Sequence, residues 1–432
     1  MNLVTGTETL RATNRTQASW LRSPQRVFLR RAIFQIHLWS GILLATYAIA
    51  IGLTGSALIF KDEIERATQP SLYHVAPVPQ QVTIDETVRR IQSARPNWIA
   101  FALRDFDQRD QATTVLLRAA TGKETPNYRM VSFNPYTGKV LFDRLRYAGM
   151  LGWMSNLHVY LLSGETGLLV SGWMGLGLLL LCFSGLILWW PGVQRWASAL
   201  LLHRRASWRR INLDLHTVVG FWTSIALIIV IFTGVDFAFP GPVGNLIEVA
   251  TFGSLSARAA ASDVLKRRPP PSNAPVITID QAIAAAYRAL PTNAPPGYLQ
   301  LPSRPGSPYR VTGYYTGTAP YSQLVRASLD PHTGELLASS DTRQQTRGLR
   351  MEQYFVAVHF GSFAGNGVVG TLVKILWVLL GIAPAVLAVT GLVMYWNRKL
   401  RPAWLRMKRT SQREETKSDE FSRAEATGAS ES

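Results

Sequence analysis

The sequence predicts an α-helical membrane protein whose four transmembrane helices and two small α+β outer domains form two duplicated halves. Four long apolar segments alternate with polar sequence, and each is long enough to cross a hydrocarbon core about 30 Å thick. Basic residues cluster beside these segments on one predicted side of the membrane. The order of segments, and several short motifs within them, occur twice.

The boundaries follow from where apolar and polar sequence alternate. The predicted transmembrane helices are residues 29–60, 166–191, 213–239 and 367–397. Between them lie two polar segments, each long enough to be a small domain, at 61–165 and 240–366. The remaining parts are a basic arm, a basic loop and a tail, at 1–28, 192–212 and 398–432.

The net charge of +18 lies next to the membrane helices and favours lipid as a partner over nucleic acid. Basic residues crowd the arm, the loop and the start of the tail. Because Lys and Arg are in excess in cytoplasmic loops, both termini are predicted to be cytoplasmic and the two polar segments extracytoplasmic. The single cysteine, Cys182, lies in the second helix, so the outer segments contain no disulfide.

The two polar segments share a pattern that indicates duplication. Each begins with a helical stripe opened by a predicted capping box, Thr83 with Glu86 and Thr278 with Gln281. Each later contains two strand-like runs around a hairpin turn, NPYTG at 134–138 and DPHTG at 330–334. Both outer segments are therefore predicted to be α+β units of the same design.

Four of the seven histidines occupy related positions in the two halves. His37 and His216 lie near the start of the first and third helices, and the same number of residues separates them from Gly55 and Gly234. His158 and His359 lie in short apolar segments that lead into the second and fourth helices. If the halves pack around a pseudo-twofold axis, each pair faces inward at one depth.

Paired imidazoles suggest haem ligation. Two opposed neutral imidazoles supply both axial ligands of a six-coordinate haem iron, so His37 with His216 and His158 with His359 would hold two haems. Small residues in the first and third helices would let the flat ring approach the backbone, namely Gly41, Gly52, Gly55, Gly220 and Gly234. A single interfacial histidine is more often a satisfied polar residue, but four at duplicated positions favour ligation.

The other polar candidates lie near the outer ends of the helices. Four residues are predicted to line the mouth of a substrate site, namely Asp62, Glu63, His74 and Asp236. An exposed loop is the alternative interpretation for His74. His203 and His332 lie in the basic loop and in a hairpin turn, and both are predicted to be surface residues.

Several motifs together resemble the PepSY-associated transmembrane helix family. They are RRAIFQIHLWSG, NLHVYLL, SGLILWWP, LDLHTVVGFW, VHFG and TGLVMYWNRK, together with the two hairpins. The resemblance implies two PepSY-like periplasmic domains and a multi-pass protein of the bacterial inner membrane. It also implies haem b and reduction of ferric siderophores, with His37, His158, His216 and His359 as the matching histidines. No flavin reductase extension follows the fourth helix.

The leading hypothesis is therefore a haem b oxidoreductase that passes electrons outward to a periplasmic ferric chelate. Fe(II) binds hard oxygen chelators less tightly than Fe(III), so reduction would release the iron. The donor stays open between a quinol and a cytoplasmic reductase. The alternative is a non-enzymatic membrane-anchored module whose PepSY-like domains bind or regulate a peptidase or another envelope protein. A transporter is less favoured, because four helices leave little room for alternating access.

Overall fold

The computed structural model describes residues 28–79, 82–120, 127–191, 196–203, 205–269, 272, 274–304 and 306–413. Almost all of the predicted basic arm, and the predicted tail beyond residue 413, lie outside this part. The chain divides into two compact units. The first contains Met1–Ile49, Leu180–Ile225 and Ala383–Ser432, and the second contains Ala50–Leu179 and Ala226–Ile382.

The described helices include long apolar helices and short connecting ones. In chain order they are α1 (Phe28–Leu58), α2 (Lys61–Thr68), α3 (Ile84–Ser93), α4 (Gly149–Tyr160), α5 (Gly164–Trp189), α6 (Trp196–Ala199), α7 (Trp208–Ala238), α8 (Pro240–Ala250), α9 (Leu255–Val264), α10 (Ile279–Ala289), α11 (Arg347–His359) and α12 (Val368–Tyr395).

Four of the described helices, α1, α5, α7 and α12, are long and apolar enough to cross a membrane, which confirms the predicted membrane class. Two differ from their predicted bounds by more than two residues. Helix α7 begins at Trp208, five residues early, because Arg210 pairs with Asp214 one turn later at 2.7 Å and keeps this charged turn helical. Helix α12 continues through a π-helical turn, Trp396–Leu400, to Arg413, where a tail had been predicted from residue 398.

The two polar segments together build one antiparallel sheet. Its strands are β1 (Trp98–Arg104), β2 (Thr113–Ala119), β3 (Arg129–Phe133), β4 (Val140–Leu145), β5 (Pro296–Gln300), β6 (Tyr309–Tyr314), β7 (Leu324–Leu329) and β8 (Leu336–Asp341). The spatial order is β4-β3-β2-β1-β5-β6-β7-β8. Each segment supplies four consecutive strands, and the order mirrors itself about the contact of β1 with β5.

The pairing of β1 with β5, which we call the seam, differs from the expectation of two separate outer domains. Leu103 pairs with Leu299, and Arg104 pairs with Tyr298. Without this pairing each four-stranded sheet would leave its inner strand with unpaired backbone groups, so joining the two removes both edges. The hairpins β3–β4 and β7–β8 form as the sequence predicts.

One core lies between the sheet and helices α3 and α10, and both segments contribute to it. Leu103, Val131 and Phe133 come from the first segment, and Leu299 and Leu329 from the second, and all five are fully buried. Because side chains alternate along a strand, residues such as Arg104 and Tyr298 lie on the opposite face. That opposite face carries the chemistry described below.

Only one of the two predicted capping boxes forms. Thr278 and Gln281 cap α10 reciprocally, as predicted. Thr83 makes no side-chain cap at α3; instead Asp280 accepts hydrogen bonds from the backbone N–H groups of Ile84 and Asp85. The prediction for α3 was wrong because a carboxylate from the other segment satisfies this helix end more strongly than the local hydroxyl.

Candidate functional site

His37 and His216 form the first of two facing histidine pairs. His37 projects from α1 and His216 from α7, within the first unit. Their ring centroids lie 6.4 Å apart and the ring planes are inclined by 88°. Both side chains are half-buried.

His158 and His359 form the second pair, within the second unit. His158 lies in α4 and His359 is the last residue of α11, so each comes from the short helix that precedes a long apolar one. Their ring centroids lie 6.2 Å apart and the planes are inclined by 60°. Each predicted pairing is thus a close contact between two imidazoles.

Hydroxyl groups hold Nδ1 of both rings in the first pair. His37 Nδ1 lies 2.9 Å from Ser184 Oγ, and His216 Nδ1 lies 2.9 Å from Thr390 Oγ1. Each hydroxyl donates its own hydrogen to a carbonyl one turn back, at 2.7 Å in both helices. The hydroxyl oxygen is therefore left to accept a hydrogen bond from Nδ1–H, which leaves Nε2 with a free lone pair.

The second pair is held by the same arrangement. His158 Nδ1 lies 3.2 Å from Thr54 Oγ1, and His359 Nδ1 lies 2.9 Å from Thr233 Oγ1. Thr54 donates to the carbonyl of Ala50 at 2.6 Å, and Thr233 donates to the carbonyl of Val230 at 2.7 Å. Nε2 of both imidazoles is again the nitrogen left available for a ligand.

A glycine follows each of these four hydroxyl residues and lies against the histidine ring. A Cβ built on Gly55 would lie 2.8 Å from Cε1 of its histidine, and one on Gly185, Gly234 or Gly391 would lie 3.3, 3.2 or 3.4 Å away. Each of the four long helices therefore supplies one Ser/Thr–Gly pair, and that pair positions one imidazole. Of the other glycines singled out from the sequence, Gly41 and Gly220 face leucine side chains instead.

The spacing of the rings fits two imidazoles bound to one metal. Imidazole nitrogens bind metals such as zinc at about 2.0–2.1 Å, so two trans imidazoles place their centroids about 6.3 Å apart. The distances of 6.4 and 6.2 Å agree with this value. In the described part of the chain no three His, Cys, Asp or Glu side chains converge as metal ligands. A metal bound by such a pair would take two nitrogens from the protein, and its other ligands would come from a bound group.

A family model described as the PepSY-associated TM region matches residues 34–398, which include all four histidines. The chain belongs to the PepSY-associated TM family. This match confirms the family that the motifs of the sequence resemble. A comparison with curated proteins finds no match.

In this PepSY-associated protein the four predicted mouth residues make different contacts. Glu63 pairs with Lys374, and exposed His74 forms an isolated bridge with Gln111. Asp236 is 4% exposed, and the charges of the ion pair between Arg258 and Glu352 act on its carboxyl group.

Asp62 is exposed and lies close enough to Arg104 and Tyr321 for its charge to act on both. No hydrogen bond or ion pair among the described residues joins any two of the four predicted mouth residues. His203, predicted to be a surface residue, is half exposed and pairs with Asp214 at 2.9 Å.

One arginine and three tyrosines form a set that we call the seam cluster: Arg104, Tyr298, Tyr314 and Tyr321. Arg104 and Tyr298 pair across the seam, and the Tyr314 and Tyr321 rings lie 5.5 Å apart. Burial raises the pKa of Tyr314 to about 12. Tyr321 is 52% exposed, and its pKa is raised by desolvation and by the nearby charge of Asp62.

Sequence reasoning missed two kinds of residue in this family member. Ser184 and Thr390 were quoted only as parts of aromatic helix ends, although each begins a Ser/Thr–Gly pair like those at Thr54 and Thr233. That repeated dipeptide was the available signal. The seam cluster had no such signal, because its members come together only through the register of strands from both segments.

Proposed function

We propose that this membrane protein carries electrons across the bilayer to a ferric chelate, using two bound haem b groups. His37 with His216, and His158 with His359, would be the axial ligands. A bound haem would supply reversible one-electron transfer between ferric and ferrous iron. The observation that carries the proposal is the pair of facing imidazole contacts, each with Nδ1 anchored and Nε2 available.

The polypeptide around each pair would set the properties of the ligands. The Ser and Thr hydroxyls fix the tautomer and the orientation of each ring, and a hydrogen bond from Nδ1–H raises the basicity of Nε2. The adjacent glycines leave the ring edge room beside the helix backbone. These residues would thus tune ligand strength and geometry without touching the iron.

The proposed topology follows from charge. Basic residues such as Arg30, Arg31, Arg209, Arg210 and Arg398 lie near the ends of the long helices on the first-unit side of the chain. This pattern supports cytoplasmic termini in a bacterial inner membrane and a periplasmic sheet. Electrons would then enter at the His37–His216 pair, from a quinol or a cytoplasmic reductase, and leave at the His158–His359 pair.

The proposed architecture is two duplicated halves with PepSY-like outer parts. Each half contains a long helix, an α+β segment with four strands, a short helix that ends in or carries a histidine, and a second long helix. In each half, the Ser/Thr–Gly pair of the first long helix holds the histidine of the short helix, and the pair of the second long helix holds the histidine of the first. That the same arrangement occurs in both halves supports this interpretation.

The acceptor would bind at the seam cluster, next to Asp62. This cluster lies in the same unit as His158 and His359, and it offers hydrogen-bond donors and aromatic surface to an oxygen-rich chelate. Reducing Fe(III) to Fe(II) weakens its bonds to hard oxygen donors, so the chelate would release its iron after one electron.

Absorption spectroscopy of the purified full-length chain tests the proposal. Dithionite-minus-air difference spectra should show the narrow bands of six-coordinate haem b, and the double variant H37A/H158A should lose them. His332 lies in the β7–β8 hairpin and belongs to neither pair, so H332A is the matched control. A colourless wild-type protein from haem-replete cells would reject the proposal, as would unchanged spectra in a folded H37A/H158A variant.

A further inference from the structure

The second unit contains a cavity of about 500 Å³ on the sheet face opposite the core. Five basic side chains line it, and they are Arg118, Lys266, Arg268, Arg304 and Arg310. Gln300, Ser303 and Ser307 add neutral hydrogen-bonding groups. We call this cavity the basic pocket.

Strand register explains why the arginines converge. Leu117 and Val311 point into the core, so their neighbours Arg118 on β2 and Arg310 on β6 project from the other face. Arg310 is the register partner of Gln300 on β5, and Arg118 is the partner of Ile99 on β1. The pocket therefore spans the seam and is built from both outer segments.

The described residues that line the pocket carry more positive than negative charge. No Asp or Glu is among the described lining residues. Lys266 pairs with Asp263 at 2.6 Å, but both side chains are largely exposed, at 72% and 65%, so this pair is weak and easily exchanged. Elsewhere in the same unit arginines meet carboxylates directly, as Arg144 does with Glu65 at 2.6 Å.

We propose that the basic pocket binds a small polyanion that carries several carboxylate or phosphate groups. Guanidinium groups pair with such oxygens through two parallel hydrogen bonds, and an anion between Arg304 and Arg310 would lower the repulsion between their charges. The volume suits a small molecule, since ligand cavities typically enclose about 300–1,000 Å³. This inference does not depend on haem binding, because none of the lining residues belongs to the histidine pairs.

Isothermal titration of the detergent-purified full-length protein with citrate and with inorganic pyrophosphate tests the proposal. We expect saturable binding that weakens as salt rises from 50 to 500 mM. The variant R304Q/R310Q should bind about tenfold more weakly or worse, because it loses two charge-assisted contacts. The control R90Q/R288Q removes the same charge from helices α3 and α10, on the other side of the sheet, and should bind as the wild type does.

A second experiment distinguishes a soluble anion from a lipid headgroup as the ligand of the basic pocket. Nanodiscs of phosphatidylcholine with and without cardiolipin, whose headgroup carries two phosphates, are compared for the wild type and for R304Q/R310Q. If soluble anions fail to bind but the variant loses a preference for cardiolipin, the polyanion is a lipid headgroup and the proposal stands. Equal binding of all probes by the wild type and by R304Q/R310Q, with both proteins folded, would overturn it.

Discussion

Asp85 and Asp280 cap each other's helices across the two outer segments. Asp280 accepts hydrogen bonds from the backbone N–H groups of Ile84 and Asp85 at 3.0 and 2.9 Å, and Asp85 accepts one from Ile279 at 3.2 Å. Two helix N-termini therefore meet, each with a carboxylate of the other at its positive end. This contact ties the segments together on the side of the core opposite the strands.

Replacing Asp280 by alanine should destabilise the outer part of the protein. The variant loses two charge-assisted hydrogen bonds and one helix cap, which together contribute about 1–2 kcal/mol to the free energy of unfolding. Thermal unfolding of the full chain, followed by intrinsic fluorescence, should show a lower first transition for D280A. Asp110 lies in an exposed loop, so D110A serves as the control, and equal transitions in the two variants would show that the cap contributes nothing.

Adding a methyl group at Gly55 should remove the second haem selectively. The new Cβ would lie 2.8 Å from Cε1 of His158, so the ring must leave its position. We expect G55A to lower the haem-to-protein ratio by about half, measured by the pyridine haemochrome assay. In G41A the new Cβ meets Leu181 at an ordinary 3.7 Å, and the ratio should stay at the wild-type value. A full complement of haem in G55A would contradict the assigned ligand.

Removing the hydroxyl at Thr233 should weaken the second haem site and raise its reduction potential. His359 Nδ1–H would lose an acceptor at 2.9 Å, so Nε2 becomes a weaker donor to ferric iron. Haem affinity should fall about 10–100-fold in T233V, and T233S should restore it. Thr371 donates to the carbonyl of Gly367 one turn earlier and lies away from both histidine pairs in the chain, so T371V is the control in the potentiometric titration. An unchanged reduction potential in T233V would show that the Thr233 hydroxyl contributes packing and does not affect the donor strength of His359.

Strong alkali should destabilise the outer sheet through Tyr309. Burial raises the pKa of Tyr309 to about 12, and its hydroxyl donates to the carbonyl of Ile277 at 2.9 Å. The unfolded chain loses this proton near pH 10 and the folded chain only near 12, so stability is complete below pH 10 and falls as the pH rises towards 12.

The slope of melting temperature against pH between 9.5 and 11.5 measures this effect. It should be shallower in Y309F, although Y309F also starts from a lower stability at neutral pH because its hydrogen bond is gone. Tyr354 is 40% exposed, and Y354F should keep the wild-type slope. Identical slopes in all three proteins would assign the alkaline transition to other groups.

Local patterns in the sequence were enough to predict the long helices, the hairpins and the capping box at Thr278. Apolar length and turn chemistry are properties of neighbouring residues, so they can be read without a tertiary structure. The pairing of Leu103 with Leu299 could not be predicted, because each strand alone is equally compatible with a free edge. The capping box predicted at Thr83 failed for the same reason, since the distant carboxylate of Asp280 replaced the local hydroxyl.

The residues of the candidate site also include some that sequence patterns predict and some that only tertiary contacts reveal. Duplicated spacing indicated the four histidines, but Ser184 and Thr390 had to be found through their contacts with His37 and His216. The basic pocket was also invisible in the sequence, where its arginines are scattered among many others. Only the alternation of strands from both segments places Arg118 and Arg310 on one face.

The seam also has a consequence for how the protein is made. Strand β1 cannot pair with β5 until the ribosome has synthesised β5, about 200 residues later in the chain. At about 5–20 residues per second this synthesis takes some 10–40 seconds. During that interval the first outer segment presents an open strand edge, a template for wrong pairing with other chains. Helices α5 and α7 lie between the two strands in the chain, so both are synthesised before the partner strand. The nascent chain therefore passes through an aggregation-sensitive stage that ends only when β5 pairs with β1.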